Sequence, residues 1–187
     1  MNPSFDLTDA HKVTLGVVGE PGRRVFYLQA HDHERIVNLK MEKAQVAALS
    51  DYLDQLLADR DLTGSEPNLV FTPPEDHDWI VGNISLGIDD NDERVVLLVE
   101  ELVLADPTEQ GLGDDPEVGA AGGASASAES TPTGALARLA LTPRHAKSLA
   151  ALGTELVNSG RPPCRWCGHP LDPSGHSCPR TNGHHRP

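Results

Sequence analysis

All three cysteines of the chain lie within a span of 15 residues, and their spacing constrains how that stretch can fold. Cys164 and Cys167 are separated by two residues, whereas His176 and Cys178 are separated by one. Proline, glycine and aspartate between the two pairs favour a turn. Two ligand pairs on either side of a turn are typical of a small tetrahedral zinc site. Because this stretch has few apolar residues, we expect a metal ion to fold it.

The spacing predicts four ligands for a structural zinc ion. They are Cys164, Cys167, His176 and Cys178. Three thiolates need only one imidazole to complete a tetrahedron, so other histidines compete with His176 for that position. The competitors are His169, His184 and His185. Three cysteines with a water would form an open, catalytic type of site, but we expect a nearby histidine to occupy the open position.

The charge of the chain is negative and unevenly distributed. The formal net charge is −13. Residues 161–187 contain four arginines and one aspartate, whereas the remainder contains 11 basic and 27 acidic residues. An acidic body repels nucleic acid and anionic membranes, so only the tail is suited to attract a polyanion. We therefore expect no membrane partner, and we expect the tail arginines to pair with the acidic body and Trp166 to pack against it or against the zinc site.

Several features of the sequence predict a cytoplasmic location. The first residues lack the basic and apolar regions of a secretory signal, and no apolar run is long enough to span a bilayer. An odd number of clustered cysteines suits a metal site in a reducing compartment better than a disulfide framework.

Patterns of apolar residues predict six strands and two helices before residue 161. The strands are expected at residues 13–18, 23–30, 35–41, 79–88, 94–104 and 136–141, and the helices at residues 42–60 and from Pro143 to near residue 160. Residues 62–78 contain three prolines and are predicted to form a loop.

The order of the predicted elements is the same in both halves of the chain. Each half has three strands followed by a helix, and the strand with Leu39 has a counterpart 100 residues later with Leu139. The predicted fold class is therefore α+β, with antiparallel strands and two covering helices. The pattern is consistent with a duplicated β-β-β-α arrangement, to which a small C-terminal zinc knuckle is attached.

The composition changes at residue 106 and again near residue 134. Residues 106–133 are rich in glycine, alanine, serine and acidic residues and have no apolar period, which predicts a disordered linker. We expect an α+β domain made of residues 1–105 and 134–160, the linker at residues 106–133, and a zinc-knuckle tail at residues 161–187.

Two other segments contain side chains that bind metals. His31 and His33 lie in a predicted turn, and His77 lies beside carboxylates in the proline-containing loop. A second metal site would require these segments to be adjacent in space, and we expect solvated turns instead. The sequence contains no Gly-x-Ser-x-Gly nucleophile motif, Walker A loop or dinucleotide-binding glycine pattern. The case for an enzyme is therefore weak, and no catalytic residue can be named.

The C-terminal stretch resembles the signature of a known family. The matching pattern is Cys164-x-x-Cys167-Gly-x-Pro-Leu-Asp-Pro-x-Gly-His176-x-Cys178-Pro-Arg-x-Asn-Gly183, and a shorter match is Gly19-Glu-Pro-Gly22. These residues make the chain similar to an uncharacterised actinobacterial family of conserved hypothetical proteins. In that family an aromatic residue and arginines usually follow the signature, where this chain has His184 and His185. The resemblance therefore implies His176 as the fourth ligand, and it implies no activity.

The preferred functional hypothesis is a protein-interaction or scaffold module. Its zinc-bound tail would dock to another protein or to a second copy of the chain. A first alternative is a metal-dependent hydrolase or phosphate-handling enzyme of a small-molecule pathway, which would use His31, His33 or His77 with nearby carboxylates. A second alternative is weak nucleic-acid binding through the basic zinc tail, in which arginines contact phosphates and Trp166 stacks on a base.

Overall fold

A mixed β-sheet and two α-helices form the described part of the chain. The computed structural model describes residues 2–32, 35–89, 91, 93–103, 134–171 and 175–181. The strands are β1 (Phe5–Leu7), β2 (Lys12–Val18), β3 (Val25–His31), β4 (Ile36–Met41), β5 (Trp79–Asp89), β6 (Arg94–Glu101) and β7 (Leu136–Leu141). The helices are α1 (Lys43–Leu56) and α2 (Pro143–Asn158), and a 3-10 turn follows at Pro179–Thr181. The predicted α+β class is confirmed.

The strand order in the sheet is β1-β7-β6-β5-β4-β3-β2. Strands β2, β3 and β4 pair antiparallel, as do β5, β6 and β7, so each predicted three-strand unit forms a meander. The two meanders meet at a short parallel pairing of β4 with β5, in which Leu39 lies opposite Trp79. The sheet is mixed rather than purely antiparallel. Helix α1 and the segment after it carry the chain back across the sheet, so that β5 runs in the same direction as β4.

Strand β1 was not predicted from the sequence. It has only three residues, and it pairs parallel with β7, so that Phe5 lies opposite Ala137 and Leu7 opposite Leu139. Three residues are too few to establish an apolar period, and the pairing partner lies in the other half of the chain. The position of β1 beside β7 repeats the parallel position of β5 beside β4.

The ends of β3 and α1 differ from the predicted ones, because local hydrogen bonds determine where each element stops. Strand β3 continues to His31, which pairs with both Lys12 and Ile36, so His31 belongs to a strand and not to a turn. Helix α1 ends at Leu56 instead of continuing to Arg60, because the N–H groups of Ala58 and Arg60 donate three positions back rather than four. Helix α2 begins as predicted, with Pro143 in its first turn and Thr142 as its N-cap.

One apolar cluster joins the sheet to both helices. Its large buried side chains include Leu7, Leu15, Leu28, Leu39, Leu53, Trp79, Leu97, Leu139, Leu141 and Leu149. Gly153 of α2 lies against Ser50 of α1, and the lack of a side chain at Gly153 allows the two helices to pack closely. A Cβ at this position would collide with the Ser50 hydroxyl. This close packing brings the C-terminal end of α2 near the N-terminal end of α1.

Residues 62–78, which we call the strap, contain neither helix nor strand, as predicted, but they are packed against the first meander. The Thr14 hydroxyl donates to the Leu69 carbonyl at 2.7 Å. The Gln29 side chain donates to the Thr72 carbonyl at 2.7 Å and accepts from the Thr72 N–H at 3.1 Å. Thr14 and Gln29 are buried polar residues, and the strap supplies their hydrogen bonds.

The predicted linker at residues 106–133 lies outside the described residues. Within the described residues, no helix has the length and apolar character required to cross a membrane.

Candidate metal centre

The first two ligand residues lie in a tight hairpin. Pro163 and Pro170 form an antiparallel bridge, and the Cys164 N–H donates to the His169 carbonyl at 2.7 Å. The Gly168 N–H donates to the Cys164 carbonyl at 2.8 Å. Gly168 has φ +76°, which glycine adopts without strain. The hairpin therefore directs both cysteine side chains of the first pair to one side of the turn.

The structure brings Cys164, Cys167, His176 and Cys178 together. One ligand atom from each of the four residues lies within 4.8 Å of the other three. Cys164 and Cys178 are buried, and the other two are partly exposed. The four side chains can therefore bind a metal ion.

The orientation of His176 suits it to ligate a metal. Its Nδ1 lies 3.1 Å from the Pro170 carbonyl oxygen, which can only accept a hydrogen bond, so Nδ1 carries the proton. The Nε2 then faces the cluster, 3.4 Å from the Cys167 Sγ, and is the ring nitrogen that can bind a metal ion once it has lost its proton. A hydrogen bond from the second ring nitrogen to a carbonyl is the usual support of a metal-binding histidine.

The local environment favours thiolates at two of the three cysteines. The Trp166 N–H lies 3.4 Å from the Cys164 Sγ and lowers the pKa of that thiol. A hydrogen bond from His176 lowers the pKa of Cys178 to about 6 and raises the pKa of the imidazole itself. Loss of solvent raises the pKa of Cys167. A bound cation would deprotonate Cys167 as well, because metal coordination removes the thiol proton.

The donor set fits a tetrahedral ion that prefers sulfur and nitrogen. Zn–S bonds of about 2.3 Å place the sulfur atoms of such a site about 3.8 Å apart. The ligand atoms of the cluster lie up to 4.8 Å apart, which is farther than the sulfur atoms around a zinc ion. We therefore expect the four side chains to move closer together around a bound ion. The displacement, about 1 Å, is within the reach of small side-chain rotations.

The competing histidines are not equivalent to His176. His169 is exposed, and it is not part of the ligand group. His184 and His185 lie outside the described residues. The structure thus groups His176 with the cysteines, which is the arrangement that the spacing and the family resemblance predict.

The other segments with metal-binding side chains do not form a comparable site. The His31 Nε2 lies 3.1 Å from the Gln29 Oε1, and burial lowers the pKa of His31. His77 Nδ1 lies 3.2 Å from an Asp76 carboxylate oxygen. Among the described residues, neither histidine belongs to a group of three or more metal-binding side chains. His33 lies outside the described residues.

Trp166 differs from its predicted environment. The sequence interpretation packs this side chain against the body or the zinc site, but it is 57% exposed. The Arg165 guanidinium carbon lies 4.9 Å from the centre of its ring. Trp166 lies on the turn between two ligands, where no sequence pattern distinguishes a covered ring from an exposed one.

Comparison with curated proteins gives no match, and comparison with solved structures gives none either. A protein-family model does match, and it covers residues 5–178, which include both meanders, both helices and all four ligands. Its description is "Protein of unknown function (DUF3090)". The chain therefore belongs to the DUF3090 family.

Proposed function

We propose that the chain is a protein-interaction protein in which a structural zinc ion holds a docking element at residues 161–181. The ligands are Cys164, Cys167, His176 and Cys178. Three thiolates and one imidazole form a closed set of the kind that structural zinc sites use. The set leaves no position open for a substrate, which favours a structural role over a catalytic one.

The observation that carries the proposal is the exposure of Trp166. Its ring is 57% exposed, although it lies between two metal ligands that hold the backbone in place. Tryptophan and arginine are the side chains most enriched where protein interfaces are strongest, and Arg165 lies against the Trp166 ring. A fixed backbone lowers the entropy cost of burying this pair on a partner.

The charge distribution indicates what kind of surface the docking element fits. Residues 161–187 carry four arginines and one aspartate, whereas the rest of the chain has an excess of acidic residues. The basic segment is thus complementary to an acidic protein surface, such as the body of a second copy. Nucleic acid would have to approach the same acidic body, which makes it a less suitable partner.

The test replaces Trp166 with alanine and compares association with that of the wild type. Sedimentation velocity measures self-association, and quantitative affinity capture measures binding to other proteins. We expect Trp166→Ala to weaken the association by tenfold or more, because interface tryptophans commonly contribute about 2 kcal/mol or more. Zinc content should stay unchanged, since Trp166 is not a ligand.

Tyr52→Ala is the matched control. Tyr52 is an aromatic residue on α1 with 50% exposure, and it is remote in sequence from the metal ligands. The proposal is wrong if Trp166→Ala and Tyr52→Ala associate equally well, or if the wild type binds neither itself nor another protein.

A further inference from the structure

A cavity lies where the metal-binding segment meets the body. Its volume is about 230 Å³. The lining comes from the turn after β2, the start of β3, the first residue of α1, the end of α2 and the segment that leads into the ligands. The lining residues that matter here are Gly22, Arg24, Lys43, Gly160, Arg161 and Pro170.

The cavity concentrates positive charge in an acidic protein. Arg24, Lys43 and Arg161 line it, and none of the described lining residues is acidic. The net charge of the whole chain is −13, so a cavity with three cations and no carboxylate departs from the rest of the molecule. Like charges placed together repel one another, and an anion bound between them would remove that cost.

Two glycines leave space for the cationic groups. A Cβ at Gly160 would lie 3.6 Å from the Lys43 ammonium nitrogen. A Cβ at Gly22 would lie 3.3 Å from the Arg161 Nε and Cζ, and Gly22 also has φ +102°. Both cationic side chains therefore lie directly against bare backbone at the cavity wall.

Arg24 is held in position but is not fully satisfied. Its Nη1 donates to the Ser159 hydroxyl at 2.9 Å and lies 3.4 Å from the Leu156 carbonyl oxygen. Its Nε is buried and has no hydrogen-bond partner among the described residues. The hydrogen bond to Ser159 thus anchors the guanidinium at the cavity wall, and guanidinium N–H groups are donors that pair with the oxygens of an anion.

We propose that this cavity binds the phosphate group of a small phosphorylated molecule. Three cations offset the charge of a phosphate monoester, which is about −2 at neutral pH, and guanidinium groups pair well with its oxygens. The volume accommodates a phosphate with a short carbon chain but is below the usual size of sites for larger ligands, about 300–1,000 Å³. Phe26 and Val157 provide apolar wall for the carbon part.

The site depends on the metal-binding segment. Pro170 lines the cavity, and its carbonyl accepts the hydrogen bond from His176. Arg161 lines the cavity and precedes the first ligand, Cys164, by three residues. Metal removal should therefore displace part of the cavity wall. This expectation rests on the zinc site proposed above. By thermodynamic reciprocity, phosphate should also increase the affinity for the metal.

Isothermal titration calorimetry on the full, zinc-loaded chain tests the proposal. The probes are glycerol phosphate, inorganic phosphate and sulfate, each at constant ionic strength. We expect saturable binding of glycerol phosphate, with weaker binding of sulfate. Lys43→Gln and Arg161→Gln should each raise the dissociation constant about tenfold, because each removes a charged hydrogen-bond donor.

Arg23→Gln is the control, because it removes the same charge from an exposed residue of the turn that does not line the cavity. Binding that is absent in the wild type, or that Arg23→Gln weakens as much as Lys43→Gln does, overturns the phosphate site. Binding that survives complete metal removal overturns the coupling. These outcomes do not depend on Trp166, so the proposed interaction function can fail or succeed separately.

Discussion

At the scale of single residues, the partly buried His145 is a titratable group with a clear structural role. Its Nε2 lies 2.7 Å from the Val13 carbonyl oxygen, so Nε2 donates and the ring connects α2 to β2. Burial lowers the pKa of His145, and the hydrogen bond to Val13 only partly opposes this effect. The folded protein therefore favours the neutral imidazole.

The free energy of unfolding should depend on pH through His145. In the unfolded chain histidine has a pKa of about 6.5, above that of the folded state, so the unfolded chain takes up the proton first as the pH falls. Stability from this residue is complete above pH 6.5 or so and decreases as the pH falls toward the folded pKa. Urea denaturation at several pH values from about 8 to 5 measures the effect.

His145→Gln provides the comparison, because glutamine can donate to the Val13 carbonyl without titrating. The wild type should lose more stability than His145→Gln over this pH range. Proton uptake by the metal ligands is common to both proteins and cancels in the difference. Parallel pH profiles would show that His145 does not control the acid sensitivity.

The clustering of the three cysteines with His176 could be predicted from the sequence, because short spacings limit how far apart these side chains can lie. Cys164, Cys167 and Cys178 are near one another in the chain, so few backbone arrangements separate them. The bond from His176 to the Pro170 carbonyl and the exposure of Trp166 depend on the path of the turn, which spacing does not specify. The cations of the cavity could not be predicted either, because Arg24 and Arg161 come from distant parts of the chain.

At the scale of elements, the strap gives the first meander a cover on its outer face. Phe71 of the strap stacks on Tyr27, with ring centres 6.2 Å apart. Its ring also lies directly over Gly16 of β2, where a Cβ would collide with it. Glycine at position 16 therefore allows the strap to approach the sheet.

Gly16→Ala should destabilise the protein by about 1–3 kcal/mol, because the added methyl group displaces the Phe71 ring. Gly87→Ala in β5 is the matched control, since a Cβ there meets no atom within 4 Å. Phe71→Leu should recover part of the loss in a double variant, with a coupling energy of about 0.5–3 kcal/mol. Urea denaturation measures five proteins: the wild type, Gly16→Ala, Phe71→Leu, the double variant and Gly87→Ala. Equal stability of Gly16→Ala and Gly87→Ala would contradict this role of the strap.

Most elements could be predicted because alternation and helical periodicity are local signals. Strands β2, β3 and β4 and the cap at Thr142 follow from such signals. The packing of the strap could not be predicted, since residues 62–78 have no period and their hydrogen bonds go to Thr14 and Gln29. Local patterns also do not specify strand order, so the parallel contact of β4 with β5 emerged only from the structure.

At the scale of the whole molecule, the apolar core of the body does not extend into the segment that holds the Cys/His cluster. The apolar cluster of the body draws its members from residues 5–157 and includes none of the four ligands. Among the described residues from 161 to 181, no comparable apolar cluster is present. Zinc binding to small peptides contributes about 10–16 kcal/mol of apparent free energy, which would replace the missing core.

Zinc removal should therefore unfold the segment and leave the body folded. We expect one zinc ion per chain by metal analysis, and a strong chelator should speed cleavage by trypsin after Arg165. Fluorescence of the buried Trp79, measured in a Trp166→Phe background, should not change. Even when no chelator is added, the Cys164→Ser variant should behave like the chelated wild type. Loss of the Trp79 signal together with the segment would mean that the metal stabilises the whole molecule.

The parallel pairing of β1 with β7 has a consequence for synthesis on the ribosome. Phe5 cannot meet Ala137 until the ribosome has made more than 130 further residues. At about 5–20 residues per second this takes roughly 7 to 26 s, during which Phe5 and Leu7 have no partner strand. Of the described strands, β1 is thus the first to be made and the last that can join the sheet, so the seven-stranded order is complete only after β7 has been synthesised.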